Sequence, residues 1–330
     1  MTRRRLSQQQ KARIAKIQER RRQKAELRAQ QVLSDASDAP LEQGRVVIRH
    51  GRSVVVRSAT GSEMLCKFRQ NLGEVVCGDR VVWQASRDGE GVVTAVEPRA
   101  TALSRPDYAG HEKAIAANIT QLVVVMAPRP EPTGHLLDQY LVVVEHIGVK
   151  GLICLNKADL LDAGERVAFA ERFAHYCAIG YPLVQVSARQ PGGLAPLTGR
   201  LAGETSILVG QSGVGKSSLI NALLPDHELE EGALSEATGL GRHTTSAATL
   251  YQLPTGGEII DSPGVRSFRL GRMDRREIER GFGEFLPYLG RCQYYNCAHH
   301  EEPGCAIVAA AEQGAIHPER LASYRRMTQT

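Results

Sequence analysis

The stretch Gly210-Gln-Ser-Gly-Val-Gly-Lys-Ser217 decides the fold of the central part of this 330-residue chain. Its glycines let backbone N–H groups turn around a phosphate, and the helix that follows directs its positive N-terminus at the same anion. From residue composition, a random chain of this length would contain this pattern with a probability on the order of one per cent. We therefore expect a phosphate-binding loop. Lys216 would bridge the β- and γ-phosphates and Ser217 would offer its hydroxyl to Mg²⁺. The remaining loop contacts are expected from Gly210, Gln211, Ser212, Gly213, Val214, Gly215 and Ser218.

A second motif, Asn156-Lys157-Ala158-Asp159, lies upstream of this loop. The Asp159 carboxylate can accept hydrogen bonds from guanine N1–H and from its exocyclic amine, a donor pair that adenine lacks. We expect Asn156, Lys157 and Asp159 to bind the base, with a further backbone contact from Ser187 and Ala188. In ordinary GTPases the base-reading motif comes last, so this order indicates a circularly permuted nucleotide domain.

Asp261-Ser-Pro-Gly264 is a loose pattern, and about one chance match is expected in a chain of this size. Its position carries the inference, since it ends an apolar run downstream of Lys216. There a GTPase needs an Asp for the metal shell and a Gly amide for the γ-phosphate. Between the two motifs lies Gly241-Arg-His-Thr-Thr245, in which Thr244 or Thr245 would complete the Mg²⁺ shell.

Val265 occupies the place where many GTPases carry a glutamine that orients the attacking water. Valine cannot orient water, so another group must do so, and His243 is the leading candidate. The alternative is an exposed loop histidine without a catalytic part. Slow intrinsic hydrolysis is expected.

Upstream, five short β-rich runs with Gly and Asp between them predict a small barrel. An oligonucleotide-binding type is favoured, although periodicity does not separate it from other small barrels. Trp83 and Phe68 either pack in its core, which is favoured, or stack on bases. The expected strands are Arg45–Ile48, Ser53–Arg57, Met64–Phe68, Arg80–Gln84 and Gly91–Glu97.

From Asn118 onward, continuous apolar runs alternate with helical stretches, which predicts a parallel, doubly wound sheet with helices on its faces. Nucleotide should bind at the carboxyl ends of the strands. The expected strands are Leu122–Met126, Gly151–Leu155, Leu183–Val186, Ser206–Val209 and Glu258–Ile260.

The charge of the chain is concentrated at its start. Residues 1–31 contain 11 Lys and Arg against two Glu, a net charge of +9, which leaves −4 for the rest. A basic arm of this kind typically neutralises nucleic-acid phosphates. The alternatives are a solvated helix or an Arg-rich transit peptide. No apolar run approaches the roughly 20 residues of a membrane span, and the first residues do not resemble a secretory signal.

The seven cysteines fall into two groups. We expect Cys66, Cys77, Cys154 and Cys177 to be small buried hydrophobes. A helical stretch at about 275–285 precedes the others, and three thiols with one imidazole make a closed zinc set. The alternative is a chance cluster of reduced thiols, and His300 could replace its neighbour as a ligand. The expected ligands of this structural zinc are Cys292, Cys297, His299 and Cys305.

In this order, the motifs resemble the RsgA (YjeQ) family of circularly permuted GTPases, bacterial factors that act in maturation of the small ribosomal subunit. The resemblance covers nearly the whole chain. It implies an oligonucleotide-binding barrel, a permuted GTPase and a zinc-containing C-terminal domain that dock on the RNA of that subunit, with ribosome-stimulated hydrolysis. His243 matches the family's proposed catalytic histidine, and Val265 matches its hydrophobic replacement of glutamine. Ser262 stands where many relatives have Thr.

We therefore expect a basic arm at 1–40, a barrel at 41–103, a permuted GTPase at 104–272 and a helical zinc domain at 273–330. The predicted function is GTP hydrolysis coupled to maturation of the small ribosomal subunit, by a cytoplasmic monomer without a membrane partner. The catalytic residues would be Lys216, His243 and Gly264. Two alternatives are a P-loop ATPase or kinase with a fortuitous base motif, and a non-enzymatic RNA-binding adaptor that holds GTP for stability.

Overall fold

The structure, a computed structural model, describes residues 39–51, 53–68, 72–86, 90–106, 112–224, 248–262 and 273–329. They form two compact units. The first consists of the described residues up to Val75 together with Asp79–Pro98. The second consists of Val76–Gly78 and the described residues from Arg99 onward. The basic arm lies outside the described residues. Among those that are described, no helix combines the length and the apolar character needed to cross a membrane.

The first unit is a five-stranded barrel. Its strands pair in the closed order β1-β2-β3-β5-β4-β1, antiparallel except for β3 with β5. Valines fill the interior, and Trp83 is buried among them with Phe68 packed alongside, so the core interpretation of both aromatics is confirmed. A closed barrel leaves no open sheet edge. The strands are β1 Leu41–His50, β2 Ser53–Ser58, β3 Glu63–Phe68, β4 Arg80–Ala85 and β5 Gly91–Val96.

The second unit contains the predicted parallel sheet. Its order is β10-β9-β8-β11-β13-β12, and all neighbours are parallel except β12 with β13. Every residue of β8 and β11 is buried, as expected for strands covered on both faces. The strands are β8 Gln121–Met126, β9 Lys150–Leu155, β10 Leu183–Gln185, β11 Thr205–Val209, β12 Ala248–Gln252 and β13 Glu258–Asp261.

Register determines which residues meet at the edge of this sheet. Met126 pairs with Leu155, and Val124 with Val209. Because parallel strands end together, the residues that follow β9 and β11 lie at one edge. Asp261, at the end of β13 beside β11, reaches the same edge.

Side-chain caps fix where several helices begin. Thr133 accepts a hydrogen bond from the backbone N–H of Leu136 at the start of α1, and Gly148 in the left-handed region ends this helix. Asp162 and Asp274 form capping boxes before α2 and α6. The helices are α1 Gly134–Ile147, α2 Ala163–Arg172, α3 Ala174–Ala178, α4 Ala195–Leu201, α5 Lys216–Leu223, α6 Arg275–Arg280, α7 Ala306–Glu312 and α8 Pro318–Thr328.

Three strands were not predicted from the sequence. β6 Ala102–Pro106 and β7 Glu112–Ala117 form an antiparallel hairpin, and β12 is an antiparallel neighbour of β13. β6 and β12 lack an apolar run of four residues, and the run in β7, Ala114–Ala117, consists mainly of alanine, so their strand conformation depends on pairing partners. The prediction for Cys177 was wrong: it is exposed on α3, whereas Cys66, Cys77 and Cys154 are buried as expected.

A buried ion network joins the C-terminal segment to α1. Arg320 of α8 is 0% exposed and donates to Asp138 of α1 at 2.6 Å and to Glu284 at 2.6 and 2.9 Å. Its guanidinium also lies 4.3 Å from the centroid of the Phe282 ring. Burial opposes this charge, but the hydrogen bonds and attraction of the two carboxylates outweigh it and raise the pKa of Arg320.

Replacing Arg320 by Met should destabilise the protein by about 3–5 kcal/mol, because two carboxylates would stay buried without their cation. Thermal unfolding followed by circular dichroism would measure the loss. Arg326→Met, at an exposed position of the same helix, is the matched control and should leave the midpoint nearly unchanged. Equal midpoints for both variants would contradict a structural role for the network.

Candidate nucleotide-binding site and metal centre

The predicted phosphate loop connects β11 to α5. Gly215 precedes the first turn of α5 with φ +92°, and a Cβ added there would lie 2.5 Å from the Asn156 amide nitrogen. Lys216 donates from Nζ to the carbonyls of Gly210 and Gln211, both at 2.7 Å. Ser217 is exposed in the first helical turn, as is Ser218. The loop therefore presents an ammonium group, hydroxyls and a helix N-terminus together, which suits an anion.

The predicted base motif lies directly against this loop. Asn156 follows β9, and its amide nitrogen donates to the carbonyls of Val214 at 3.0 Å and Gly215 at 3.4 Å. Lys157 donates from Nζ to the carbonyl of Gly213 at 2.7 Å. Lys157 has φ +59°, a left-handed conformation that is costly for a side chain with a Cβ. Two motifs that are far apart in sequence thus form one structure.

The carboxylate of Asp159 is oriented by a neighbouring strand end. The Ser187 hydroxyl follows β10 and donates to Asp159 Oδ1 at 2.5 Å. The same hydroxyl accepts from the backbone N–H of Arg189 at 3.1 Å. The sequence predicted a backbone contact at Ser187 and Ala188, and the structure adds this side-chain bond, which fixes the direction of the carboxylate.

These elements enclose a cavity of about 530 Å³, within the size range of small-molecule sites. Arg189 and the exposed Leu160 also line it, and neither was predicted as a site residue. Leu160 is recognisable only as the neighbour of Asp159, and no sequence signal marks Arg189. The lining consists of Asn156, Lys157, Asp159, Leu160, Ala188, Arg189, Ser212, Gly213, Gly215, Lys216, Ser217 and Ser218.

Other predicted residues stand outside this lining. Val214 is buried beneath the loop, and Gly210 and Gln211 contribute carbonyls to Lys216. Asp261 lies at the same edge of the sheet without lining the cavity formed by the described residues. His243, Thr244, Thr245, Gly264 and Val265 lie outside the described residues.

The structure brings together the four predicted metal ligands, whose donor atoms all lie within 4.8 Å of one another. Cys292 Sγ is 3.9 Å from Cys305 Sγ and 3.6 Å from His299 Nδ1. Donors around a tetrahedral zinc ion lie about 3.5 Å apart or slightly more, given its usual bond lengths. The set therefore fits zinc, and His299 is its imidazole, whereas the adjacent His300 is not among the four.

Surrounding groups hold the histidine of this cluster. His299 has φ +63°, and its carbonyl accepts from Arg325 at 3.0 Å. Its second ring nitrogen faces a carboxylate oxygen of Glu279 at 3.7 Å, which is beyond direct hydrogen-bond distance. Burial lowers the pKa of His299, which favours the neutral form that binds metals.

A second group of donors, His175, His317 and Glu319, also lies within 4.8 Å. The two imidazole rings are stacked face to face, with centroids 3.8 Å apart and planes 6° from parallel. Imidazole lone pairs lie in the ring plane, so these two cannot converge on one ion as placed. We assign no metal to this group.

Sequence comparisons agree with this geometry. A family model described as RsgA GTPase matches residues 96–271. A protein of Azotobacter vinelandii named small ribosomal subunit biogenesis GTPase RsgA is 46% identical over 334 residues, covering 99% of this chain and 97% of the relative. A protein of Pseudomonas aeruginosa with the same name is 46% identical over 330 residues, with the same coverage of both chains.

Solved structures show the same architecture. YjeQ from Thermotoga maritima superposes with a TM-score of 0.72 and 31% identity, over 88% of this chain and 98% of that one. YloQ, described as a circularly permuted GTPase, gives a TM-score of 0.69 and 26% identity over 88% of this chain and 94% of that one. The predicted barrel, parallel sheet and permuted motif order are thereby confirmed. The chain belongs to the RsgA GTPase family.

Proposed function

We propose that this protein binds and hydrolyses GTP and acts in maturation of the small ribosomal subunit. The observation that carries the proposal is the hydrogen bonding of the Asn156 amide to the carbonyls of Val214 and Gly215, which supports a shared site for base and phosphates. The named relatives are GTPases of small ribosomal subunit biogenesis, at 46% identity over nearly the full chain. A P-loop ATPase or kinase would have no use for the aligned Asp159 carboxylate.

Each part of the cavity has a proposed role. Asp159, oriented by Ser187, would accept hydrogen bonds from the base edge. The backbone amides of 210–217 would surround the β- and γ-phosphates, and Lys216 would exchange its loop carbonyls for phosphate oxygens. Arg189 lies on the cavity wall and would contribute further positive charge. Binding would therefore combine base recognition at one end with charge neutralisation at the other.

Mg²⁺ would supply positive charge at the phosphates and would be held by Ser217, Asp261 and either Thr244 or Thr245. Gly264 would donate its amide to the γ-phosphate. Because Val265 cannot orient water, His243 would position the attacking water. The small ribosomal subunit would stabilise this arrangement and so accelerate hydrolysis.

The partner surface would be distributed along the chain. The basic arm, with a net charge of +9 over residues 1–31, suits phosphates of ribosomal RNA. The barrel would add a second RNA contact. We propose a cytoplasmic monomer as the acting form.

One structural zinc ion per chain would be held by Cys292, Cys297, His299 and Cys305, which the donor distances support. Nucleotide would influence this C-terminal segment by two routes. One is the chain that runs from Gly264 directly into it. The other is α1, where Tyr140 hydrogen-bonds the backbone of Gly210 and nearby Asp138 binds Arg320. GTP binding would thereby change how the segment meets RNA.

Asp159→Asn should weaken GTP binding by at least about 100-fold and favour xanthosine triphosphate, because the new amide presents a donor where guanine also presents one. Isothermal titration with GTP, ATP and xanthosine triphosphate measures the change. Asp162→Asn is the control, since Asn caps α2 equally well. Tighter binding of ATP than GTP by the unaltered protein would favour the ATPase alternative.

His243→Ala should lower subunit-stimulated GTP hydrolysis on the order of 100-fold, as expected when a water-positioning group is lost. Phosphate release would be measured with and without small ribosomal subunits. His227→Ala is a control near His243 in sequence. Stimulation that survives in His243→Ala would remove this residue from the mechanism. Absence of hydrolysis above background in the unaltered protein, despite tight GTP binding, would favour the adaptor alternative.

Cys297→Ala should reduce bound zinc from about one ion per chain toward zero and should uncouple subunit binding from nucleotide. Atomic emission gives the zinc content, and sedimentation with subunits in GTP or GDP gives the coupling. Cys177→Ala, at an exposed position outside the cluster, should change neither. A folded Cys297→Ala protein with unaltered GTP-dependent binding would contradict the coupling.

A further inference from the structure

Two adjacent tyrosines are exposed in the loop between metal ligands Cys292 and Cys297. Tyr294 is 47% exposed and Tyr295 is 94% exposed. Single exposed apolar side chains are common, but two neighbouring exposed aromatic rings, one of them almost fully exposed, indicate an interaction site. Neither ring contributes to the core or to the metal set.

The loop that carries these rings is held in place. The backbone N–H of Gln293 donates to the carbonyl of Gly304 at 3.0 Å, and the N–H of Cys297 donates to Tyr294 O at 3.2 Å. Arg275 of α6 donates to the carbonyl of Asn296 at 3.4 Å. A tyrosine side chain has only two main rotations, so a braced loop presents it at low entropic cost.

Two arginines lie beside the loop. Arg291 is exposed directly before Cys292, and the Arg275 side chain is 38% exposed. Of the nearby carboxylates, Glu279 pairs with Arg275 at 3.3 Å and also faces His299, and Glu302 accepts the backbone N–H groups of Ala298 and His300. Glu301 is an exposed acid in the same stretch. The exposed guanidinium of Arg291 beside the two rings fits a ligand that has both phosphates and flat bases.

We propose that Tyr294 and Tyr295 form a stacking platform for unpaired bases of single-stranded RNA, with Arg291 on an adjoining phosphate. This inference rests on the proposed function and specifies one of its RNA contacts. The loop's other side chains, Gln293 and Asn296, are polar, so the rings are not part of an aliphatic docking patch. Bases within a duplex have no free face, whereas unpaired bases stack on aromatic side chains.

The test compares the full chain with the double variant Tyr294→Ala/Tyr295→Ala for binding of a fluorescent single-stranded 12-nucleotide RNA and of its duplex. The assay is run at about 0.3 M salt, because salt weakens the contacts of the basic arm with RNA phosphates but has little effect on base stacking. Single-stranded RNA should bind the double variant roughly 5- to 150-fold more weakly for each stacked base. Duplex binding should not change.

Three controls separate stacking from other effects. Tyr295→Phe should bind like the unaltered protein, since stacking needs the ring and not the hydroxyl. Leu286→Ala removes an exposed apolar side chain of the same segment, 53% exposed, and should have no effect. Arg291→Ala should reduce the slope of log K against log salt by about one, whereas the double alanine variant should leave this slope unaltered. Zinc content and GTP affinity should be equal in all variants.

A direct readout uses protein labelled with 3-fluorotyrosine, in which Tyr294→Phe and Tyr295→Phe identify the two ¹⁹F resonances. Adding single-stranded RNA should shift both upfield. Static resonances during RNA binding, or equal RNA affinity of the double alanine variant, would overturn the platform. Loss of subunit binding without loss of RNA binding would also overturn it and indicate a protein contact. Failure of subunits to stimulate the unaltered protein would instead refute the proposed function, independently of these shifts.

Discussion

The contact between the Asn156 amide and the carbonyls of Val214 and Gly215 is the constraint on which the nucleotide site depends. It joins the base motif to the phosphate loop across more than fifty residues of sequence. A Cβ at Gly215 would displace that amide, so the last loop glycine is required by the neighbouring motif as well as by its own φ of +92°. Because parallel strands end at one edge, the order in which the chain visits them does not alter the site. This is the physical reason why a permuted chain can retain the same chemistry.

Helix α1 serves both the nucleotide site and the C-terminal segment. Tyr140 contacts the backbone of Gly210, and Asp138, two residues earlier, holds Arg320. Arg320 is buried between two carboxylates and against Phe282, so separating α8 from α1 would leave unpaired charges in an apolar environment. The free-energy cost of unpairing these buried charges favours a rigid connection between α1 and α8. Movement of the phosphate loop would therefore reach the C-terminal segment through packed, hydrogen-bonded groups.

The C-terminal segment combines a shared core with a metal-type donor set. Its apolar residues pack with Val142 of α1, and Cys297 and Cys305 belong to the same cluster. Backbone hydrogen bonds and Arg275 restrain the loop between Cys292 and Cys297, on which Tyr294 and Tyr295 are exposed. A chain without such restraints would tend to bury two neighbouring aromatic rings. The C-terminal segment thus has both a packed apolar core and an exposed aromatic surface.

The sequence by itself determined the motifs, their permuted order, the barrel and the parallel sheet, because these depend on local residue types and on apolar runs that are buried on both faces. It also predicted the four candidate metal donors, which are close together along the chain and which the structure brings together. It missed the β6–β7 hairpin, the strand β12 and the exposure of Cys177. β6 and β12 have no long apolar run, the run in β7 is mainly alanine, and packing decides whether a single cysteine is exposed. Only the tertiary structure decided that Ser187 orients Asp159, that Leu160 and Arg189 line the cavity, and that Arg320 binds α1. Each of these contacts joins residues whose proximity depends on strand register and helix packing, which sequence spacing does not specify.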